Sequence, residues 1–347
     1  MKRYKNLWEK FISMDNLELA AMKAVKSKKN KKDVQDFLAH KTELLKKLQS
    51  DLINNRFTTS KYKVRTIFEP KQRDIYILPL YPDHIVHHAL INIVGPIWQS
   101  TFIHDSYACI PGRGLHAASK RVMHFVRKYK YALQCDIRKF YPSINHNVMF
   151  NIVKKKIADV RLLNVLHNII FSVGDSKNLP IGNLTSQWMG NVYMNELDHF
   201  VKQDLHCRAY IRYCDDFIVF SNDKTFLHNV KVFVENFLNK NLKLIFSKSA
   251  VFPTKRGVLF IGYRHFKKFI LLRKTSAHKM FKQIINMIKW HDFGSKSVGQ
   301  LAAFHGWVKW CNSFHFKISV YKNIFVLCPI MSWFVQQKFF VPILNNA

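Results

Sequence analysis

Acidic residues are scarce in this chain. Asp and Glu number 22 among 347 residues, against 55 Lys and Arg, so the formal net charge is +33. A surplus of this size repels itself unless a polyanion neutralises it. The basic residues run through the whole sequence and form no separate tail, which favours a long groove that follows phosphates and releases counterions on binding. A generally basic, soluble surface is the alternative.

Export and zinc-binding signals are also missing. The six cysteines include no CxxC pair, which argues against a zinc ribbon or finger. The N-terminus is charged from Lys2 and lacks the apolar segment of a signal peptide. The most apolar stretch, residues 324–335, is interrupted by Pro329 and is shorter than the ~20 residues that a membrane span needs. We expect a cytoplasmic protein with free thiols and no membrane partner.

Apolar periodicity predicts helices and strands that are interleaved without a regular βαβ rhythm. Residues 6–54 repeat at helical spacing, residues 62–80 alternate as a β-hairpin with a basic tip, and residues from about 274 onward are mostly helical. Further helices are predicted over 82–98, 115–129, 147–157, 162–171, 188–202 and 225–239, with a loop over 179–187. Further strands are predicted over 131–136, on both sides of 214–216, and over 242–246 and 258–263. This order predicts an α+β fold.

Three aspartates occur where carboxylates are costly to bury. Asp136 ends an apolar strand, and Asp215 and Asp216 are adjacent within an apolar hairpin. Magnesium prefers such oxygen ligands, and two ions ~4 Å apart would stabilise the attacking and leaving oxygens of a phosphoryl transfer. A hairpin turn with solvated acids is the alternative for the pair, and a helix N-cap is the alternative for Asp136.

Several motifs in order resemble the reverse transcriptase family. Residues 213–216 match its YxDD motif, and Asp136 is followed five residues later by the aromatic Tyr141. Residues 106–108 with 112–114, 247–248 and 260–263 match further motifs. The resemblance implies a right-hand polymerase fold. It has an N-terminal helical extension over 1–55, fingers and a palm with an antiparallel sheet over 56–265, and a helical thumb with a C-terminal tail over 266–347.

The resemblance also implies roles for individual residues. The catalytic residues would be Asp136, Asp215 and Asp216, which with the backbone of Ile137 would hold two Mg²⁺ ions, or Mn²⁺ in their place. The residues implied to bind substrate are Lys71, Arg73, Arg113, Tyr141, Ile181, Gly182, Gln187 and Lys248. Tyr141 would exclude a ribose 2′ hydroxyl, and Lys248 would protonate the leaving pyrophosphate. A core aromatic and a solvated lysine are the respective alternatives.

Residues 179–187 place the chain within the family. Ile181 and Gln187 stand where most reverse transcriptases carry Gln and Pro, and this resembles the enzymes of diversity-generating retroelements. Unlike an amide, a branched apolar side chain cannot hydrogen-bond the incoming nucleotide, which weakens the penalty for a mispositioned one. We expect copying errors at template adenines; simple packing of Ile181 under the nucleotide is the alternative.

The expected partners follow from the same resemblance. They are a template RNA, the RNA/cDNA duplex, dNTPs and an oligomer of a small basic accessory protein, in a bacterial or phage-encoded system. An alternative with the same chemistry is a retron-type or antiphage-defence reverse transcriptase that copies a non-coding RNA. A non-catalytic RNA-binding protein is a further alternative, and the three intact aspartates count against it. A two-metal nuclease is another, and the pair Lys71 and Arg73 counts against that.

Overall fold

The computed structural model describes residues 2–68, 71–290 and 294–327. The tip of the predicted hairpin at residues 69–70 and the tail from residue 328 lie outside the described residues. The chain divides into two compact units. Residues 1–114, 133–219 and 225–251 form the first unit, and residues 115–132, 220–224 and those from 252 onward form the second. The boundaries predicted at 55 and 265 follow the polymerase subdomains and stay predictions.

The first unit begins with four helices, which confirms the helical prediction for residues 6–54. They are α1 (Trp8–Ile12), α2 (Met14–Val25), α3 (Lys32–Ala39) and α4 (Lys41–Ile53). The Ser13 hydroxyl caps α2 by accepting a hydrogen bond from the Asn16 backbone N–H. Leu17 and Ala20 are fully buried on the face of α2 that packs against α5 (Ile85–Gln99).

The predicted hairpin is confirmed in its two arms. Strand β1 (Lys63–Ile67) pairs antiparallel with β2 (Arg73–Ile77). The side chains of both strands are at most half-buried, so their packing alone holds the hairpin weakly. A backbone hydrogen bond also holds it: the Tyr76 N–H donates to the Ile181 carbonyl oxygen at 2.8 Å. This bond ties the basic hairpin to the loop that carries Ile181.

The central part of the chain builds a four-stranded sheet with helices around it. The remaining elements through residue 253 are α6 (Leu115–Lys128), β3 (Tyr131–Ile137), α7 (Phe140–Ser143), α8 (His146–Lys154), α9 (Val160–Ile170), α10 (Leu184–His199), β4 (Tyr210–Tyr213), β5 (Asp216–Ser221), α11 (Lys224–Phe237) and β6 (Phe246–Pro253). The strand order is β4-β5-β3-β6, and β4 and β5 form an antiparallel hairpin. This order brings the end of β3, which carries Asp136, beside the start of β5.

Three sequence predictions need correction. Helix α10 begins at Leu184, four residues before the predicted start, because the polar residues after Asn183 form its first turn. The strand predicted over 242–246 begins only at Phe246, because Lys243 adopts a left-handed conformation with φ 53°. The strand predicted over 258–263 is a hairpin, because Ile261 and Gly262 turn the chain with φ 47° and 84°.

The second unit combines a small sheet with helices. Its later elements are β7 (Val258–Phe260), β8 (Tyr263–His265), β9 (Ile270–Leu272), α12 (Lys274–Lys289), α13 (Ser295–Lys309) and α14 (Phe314–Leu327). The three strands are antiparallel, and α6 packs on β8, where Ser119 Oγ lies 2.8 Å from His265 Nε2. Over the described residues, no helix is both long and apolar enough to span a membrane.

Candidate active site

The two adjacent aspartates lie at the tight turn between β4 and β5. Tyr213 pairs with Asp216 across the hairpin, so Cys214 and Asp215 form the two-residue turn. Cys214 has φ 58°, a left-handed conformation that a tight hairpin turn of this kind requires. Both aspartates are half-buried. The turn therefore presents two neighbouring carboxylates at the edge of a hydrophobic sheet.

The third aspartate approaches from the neighbouring strand. Asp136 is the penultimate residue of β3, and Ile137 ends that strand with its side chain buried. Asp136 Oδ2 accepts a hydrogen bond of 2.6 Å from the hydroxyl of Ser247, a residue of β6. The same hydroxyl lies 3.3 Å from the Asp136 carbonyl oxygen. Ser247 thus orients this carboxylate from the other side of β3.

The three carboxylates repel one another. Burial, together with the charges of Asp136 and Asp215, raises the pKa of Asp216 to about 7, although a hydrogen bond from Gln134 and the charge of Lys71 oppose the shift. Burial and the charge of Asp136 also raise the pKa of Asp215, against the charges of Arg73 and Lys71. The charges of the basic hairpin therefore act on the turn that carries Asp215 and Asp216, and a bound cation would relieve the repulsion among the carboxylates.

The donor set fits a hard divalent cation. All three side chains offer carboxylate oxygens, which Mg²⁺ and Mn²⁺ prefer. Within the described chain, no three or more His, Cys, Asp or Glu side chains are placed so that they could hold a metal ion as they stand. Burial, together with the charges of the neighbouring carboxylates, raises the pKa of Asp215 and Asp216, and this environment favours a cation beside them.

A buried ion pair stabilises the backbone of the turn. The Arg212 guanidinium and the Asp198 carboxylate are both fully buried, and they form two hydrogen bonds of 2.7 and 2.6 Å. The Tyr210 hydroxyl donates to the same carboxylate at 2.7 Å. Arg212 Nη1 also donates to the Cys214 carbonyl oxygen at 2.9 Å. A rigid cation on β4 therefore fixes the backbone that precedes Asp215.

The ion pair was not predicted from the sequence. A signal was present, because Arg212 is a cation within an otherwise apolar strand and must find a buried acid. Its partner, Asp198, lies on α10, fourteen residues earlier. Asn191 of the same helix extends the network, since it accepts from Arg212 Nη1 at 3.1 Å and donates to the Ala108 carbonyl oxygen at 2.8 Å.

Of the residues predicted to bind substrate, Lys71 and Arg73 lie on the hairpin, and Ile181 and Gly182 lie in the loop that is bonded to its second arm. Both cations are exposed, at the tip and on the second arm of the hairpin. Ile181 is half-buried and is bonded to the hairpin through Tyr76. Gly182 has φ +129°, and a Cβ there would collide with the Tyr76 carbonyl oxygen, so only glycine allows this close approach.

Tyr141 lies next to the catalytic turn. Its ring is half-buried against Gly190 of α10, where an added Cβ would lie 3.3 Å from the Tyr141 hydroxyl. The hydroxyl is 3.9 Å from Cys214 Sγ, and burial raises the Tyr141 pKa, so the phenol stays neutral. The structure thus places this aromatic beside the turn that carries Asp215, and its role as a steric gate stays a prediction.

The other predicted substrate residues lie in different surroundings. Arg113 Nη1 donates to the carbonyl oxygens of Ile103 and Ser106, at 2.6 and 2.7 Å, so this arginine stabilises its own loop. Gln187 is exposed in the first turn of α10. Lys248 is exposed on β6, next to the serine that binds Asp136. Their substrate contacts stay predictions.

Comparison with known proteins finds relatives that include a retron reverse transcriptase and an intron-encoded protein. YkfC of Escherichia coli K12 is 23% identical over 58% of this chain and 64% of its own length. The Ec73 retron reverse transcriptase of Escherichia coli is 33% identical over 46% and 50%, respectively. The intron-encoded protein LtrA of Lactococcus lactis is 24% identical over 36% and 22%. The chain thus spans less than two thirds of each relative.

Solved structures show the same fold. A telomerase from Candida albicans, solved with a fragment of telomeric RNA, matches 85% of this chain and 58% of its own with a TM-score of 0.50 and 11% sequence identity. The predicted right-hand polymerase fold is confirmed at this level. The sequence model described as reverse transcriptase (RNA-dependent DNA polymerase) matches residues 71–265, which include the hairpin cations and all three aspartates. Since this match covers more than half of the chain, the protein belongs to the reverse transcriptase family.

Proposed function

We propose that the protein is an RNA-directed DNA polymerase that extends a DNA 3′ end on an RNA template. The observation that carries the proposal is the group of three half-buried, mutually repelling aspartates beside the exposed cations Lys71 and Arg73. Acids alone suit any phosphoryl transfer, whereas acids that face a cationic hairpin suit a triphosphate substrate. The positive charge of the whole chain supports a nucleic-acid template.

Asp136, Asp215, Asp216 and the Ile137 carbonyl oxygen would hold two Mg²⁺ ions, or Mn²⁺ in their place. When bound, the ions lower the pKa of the primer 3′ hydroxyl and neutralise charge on the pyrophosphate. Ser247 orients Asp136, and Arg212 fixes the turn before Asp215, so the protein presents the ligands at defined positions. Such fixed positions are what metal-assisted transfer needs from a protein.

Other residues of this chain bind and select the nucleotide. Lys71 and Arg73 bind the triphosphate as charge-assisted donors. The Tyr141 ring occupies the space of a ribose 2′ hydroxyl and so favours dNTPs. Lys248, exposed on β6 beside Ser247, donates a proton to the leaving pyrophosphate.

We further infer that copying is error-prone at template adenines, as part of mutagenic retrohoming. Ile181 supports this, because its half-buried branched side chain offers no hydrogen bond at a loop tied to the fingers hairpin. The partners would be a template RNA and an oligomer of a small basic accessory protein. One observation favours the alternative, a retron-type or defence enzyme that copies a non-coding RNA: the 33% identity to a retron reverse transcriptase.

Primer extension on an RNA template, with dNTPs and Mg²⁺, tests both levels of the proposal. Wild type, Asp215→Ala, Ile181→Gln and the matched apolar control Ile181→Val are compared, and the cDNA is sequenced. We expect cDNA from all but Asp215→Ala, with errors concentrated opposite adenine in wild type and Ile181→Val. Ile181→Gln should lower that error frequency by about tenfold, the cost of one lost hydrogen bond.

The outcomes separate the two levels. Faithful cDNA from wild type would refute the mutagenic role and favour the retron-type alternative. Absence of cDNA, even with cognate RNA and accessory protein, would refute polymerase function itself.

A further inference from the structure

The small sheet of the second unit has two unlike faces. Val258, Phe260, Tyr263 and His265 are at most 1% exposed and form its inner face. On the other face, Leu259 pairs with Arg264, and Arg264 pairs with Leu271, so these three side chains form one row across the strands. Leu259 and Leu271 remain 37% and 38% exposed. This outer row is apolar at both ends and cationic in the middle.

The outer row forms one side of a groove of about 810 Å³. Residues at the starts of α12 and α14, including Lys274 and Phe316, line its other side, and the lining is largely apolar. A groove of this volume lies within the range of sites that bind small ligands or short segments. Exposed leucines on a sheet face, in a concave setting, indicate a surface that a ligand covers.

Three cations border the groove, and one of them, Arg264, is held in place by its side-chain contacts. Arg264 Nε and Nη2 donate to the Arg256 carbonyl oxygen at 3.1 and 2.5 Å, and its guanidinium lies 5.4 Å from the centre of the Phe266 ring. Arg273 and Lys274 are exposed at the same border. No Asp or Glu is among the described residues that line the groove. An anionic ligand is therefore favoured over a cationic or neutral one.

The groove combines an apolar lining with bordering cations, and this combination favours a single-stranded over a double-stranded nucleic acid. A duplex presents phosphates but keeps its bases stacked inside, so it would leave the apolar lining uncovered. A single strand presents phosphates and the apolar faces of unstacked bases together. Resting on the proposed RNA template for the choice between RNA and DNA, we infer that this groove binds a single-stranded segment of RNA. Arg264, Arg273 and Lys274 contact its phosphates, and its bases lie on Leu259, Leu271 and Phe316.

The test measures binding alone and needs neither Mg²⁺ nor dNTPs, so its failure is distinguishable from a failure of polymerase function. It is tested on the full chain with a fluorescent, unstructured oligouridine of about 12 nucleotides by anisotropy. The variant is Arg273→Glu/Lys274→Glu. Its matched control is Lys267→Glu/Lys268→Glu, which makes the same charge change at exposed residues of the same unit that do not line the groove.

We expect the groove variant to weaken binding at least about tenfold and the control less than about threefold. Leu271→Ser, which keeps the charge, should weaken binding by about threefold or more, because the base contact is lost. Equal losses in both charge variants would overturn the inference, since diffuse charge would then suffice. Competition by a blunt RNA duplex as strong as by oligouridine, or preference for anionic phosphatidylglycerol vesicles, would also overturn it.

A second measurement covers the case of a variant that fails to fold. Wild type is photocrosslinked to a 4-thiouridine oligonucleotide, and the modified peptides are identified by mass spectrometry. We expect crosslinks within residues 257–277 or 312–316, and their absence from both segments would refute the groove. Primer extension by the same variants, measured in parallel, shows separately whether polymerase function holds.

Discussion

The two compact units divide the charge of the molecule unequally. The second unit carries 21 Lys and Arg against 2 Asp and Glu, whereas the first, which is larger, carries 34 against 20. The acids of the first unit include the three catalytic candidates and the buried Asp198. Under the proposed function, the first unit supplies the acids that would hold metal ions, as well as the buried partner of Arg212. We expect the second unit, which has almost no acids, to contribute chiefly to phosphate binding.

The test with the largest expected effect on stability concerns the buried ion pair of Arg212 and Asp198 in the first unit. Arg212→Met leaves Asp198 buried and unpaired, so we expect a loss of about 3–5 kcal/mol in the free energy of unfolding, measured by urea denaturation. Arg212→Met/Asp198→Leu should recover most of it. The control Arg161→Met removes the exposed pair with Glu9 and should cost about 0–1 kcal/mol. Equal losses of stability in Arg212→Met and Arg161→Met would show that leaving Asp198 buried and unpaired carries no extra cost.

A second test uses the pH dependence of Asp216. Its folded pKa of about 7 lies above the ordinary 3.8, so in metal-free protein the stability present below about pH 4 is lost as the pH rises to about 7. Asp216→Asn cannot ionise and should exceed wild type by on the order of 2 kcal/mol above that range, after solvent screening is allowed for. Urea denaturation with a chelator at several pH values measures the difference.

The control for this test is Asp204→Asn, at an exposed acid of the same unit. This control removes a carboxylate outside the cluster of three, so it should not reproduce the gain in stability expected of Asp216→Asn. Added Mg²⁺ should stabilise wild type and leave Asp216→Asn nearly unchanged. A difference between wild type and Asp216→Asn that is flat with pH would contradict the repulsion among the three carboxylates.

A third test asks whether phosphate binding belongs chiefly to the second unit. Lys282→Ala/Lys289→Ala on α12 should reduce the salt dependence of RNA/DNA duplex binding by about 2 in the slope of log K against log salt, about one per lost contact. Lys46→Ala/Lys47→Ala on α4 removes the same charge from the first unit and should change the slope by less than about 0.5. Equal changes in slope for the two variants would show that the two units contribute equally to phosphate binding.

The smallest expected effect concerns two cysteines. A hydrogen bond from Cys214 lowers the pKa of Cys109, in the first unit, to about 7, whereas burial raises the pKa of Cys311, in the second. The alkylation rate of Cys109 by iodoacetamide should therefore rise as the pH passes about 7, and that of Cys311 only at higher pH. Cys214→Ala should move the Cys109 midpoint upward. Peptide mass spectrometry follows each site, and a Cys109 midpoint unmoved by that substitution would refute the contact.

Local patterns predicted most of the fold and pointed to the three aspartates that the structure brings together. The alternation around residues 62–80 and the apolar strands around Asp136, Asp215 and Asp216 depend on nearby residues, so they were readable. The start of α10 was misplaced because Thr185 and Ser186, polar in sequence, are buried in its first turn. A polar side chain is equally common in a loop, so sequence alone does not distinguish the two.

The missing parts of the site depend on contacts between distant residues. Ser247 binds Asp136 across 111 positions, and Asn191 reaches the Ala108 carbonyl across 83. No local pattern specifies such partners. Gly182 is a related case: the motif drew attention to it, but only the approach of Tyr76 explains why a side chain is excluded there.

The most direct test of the central claim compares two aspartates of the first unit. Asp215→Asn and the exposed control Asp204→Asn are assayed for primer extension on an RNA template with Mg²⁺, with template binding measured in the same samples. We predict that Asp215→Asn lowers extension by at least about a thousandfold while binding stays within about threefold of wild type, and that Asp204→Asn changes neither. Extension by Asp215→Asn within tenfold of wild type, at about 1.4 kcal/mol or less, would contradict catalysis at this turn.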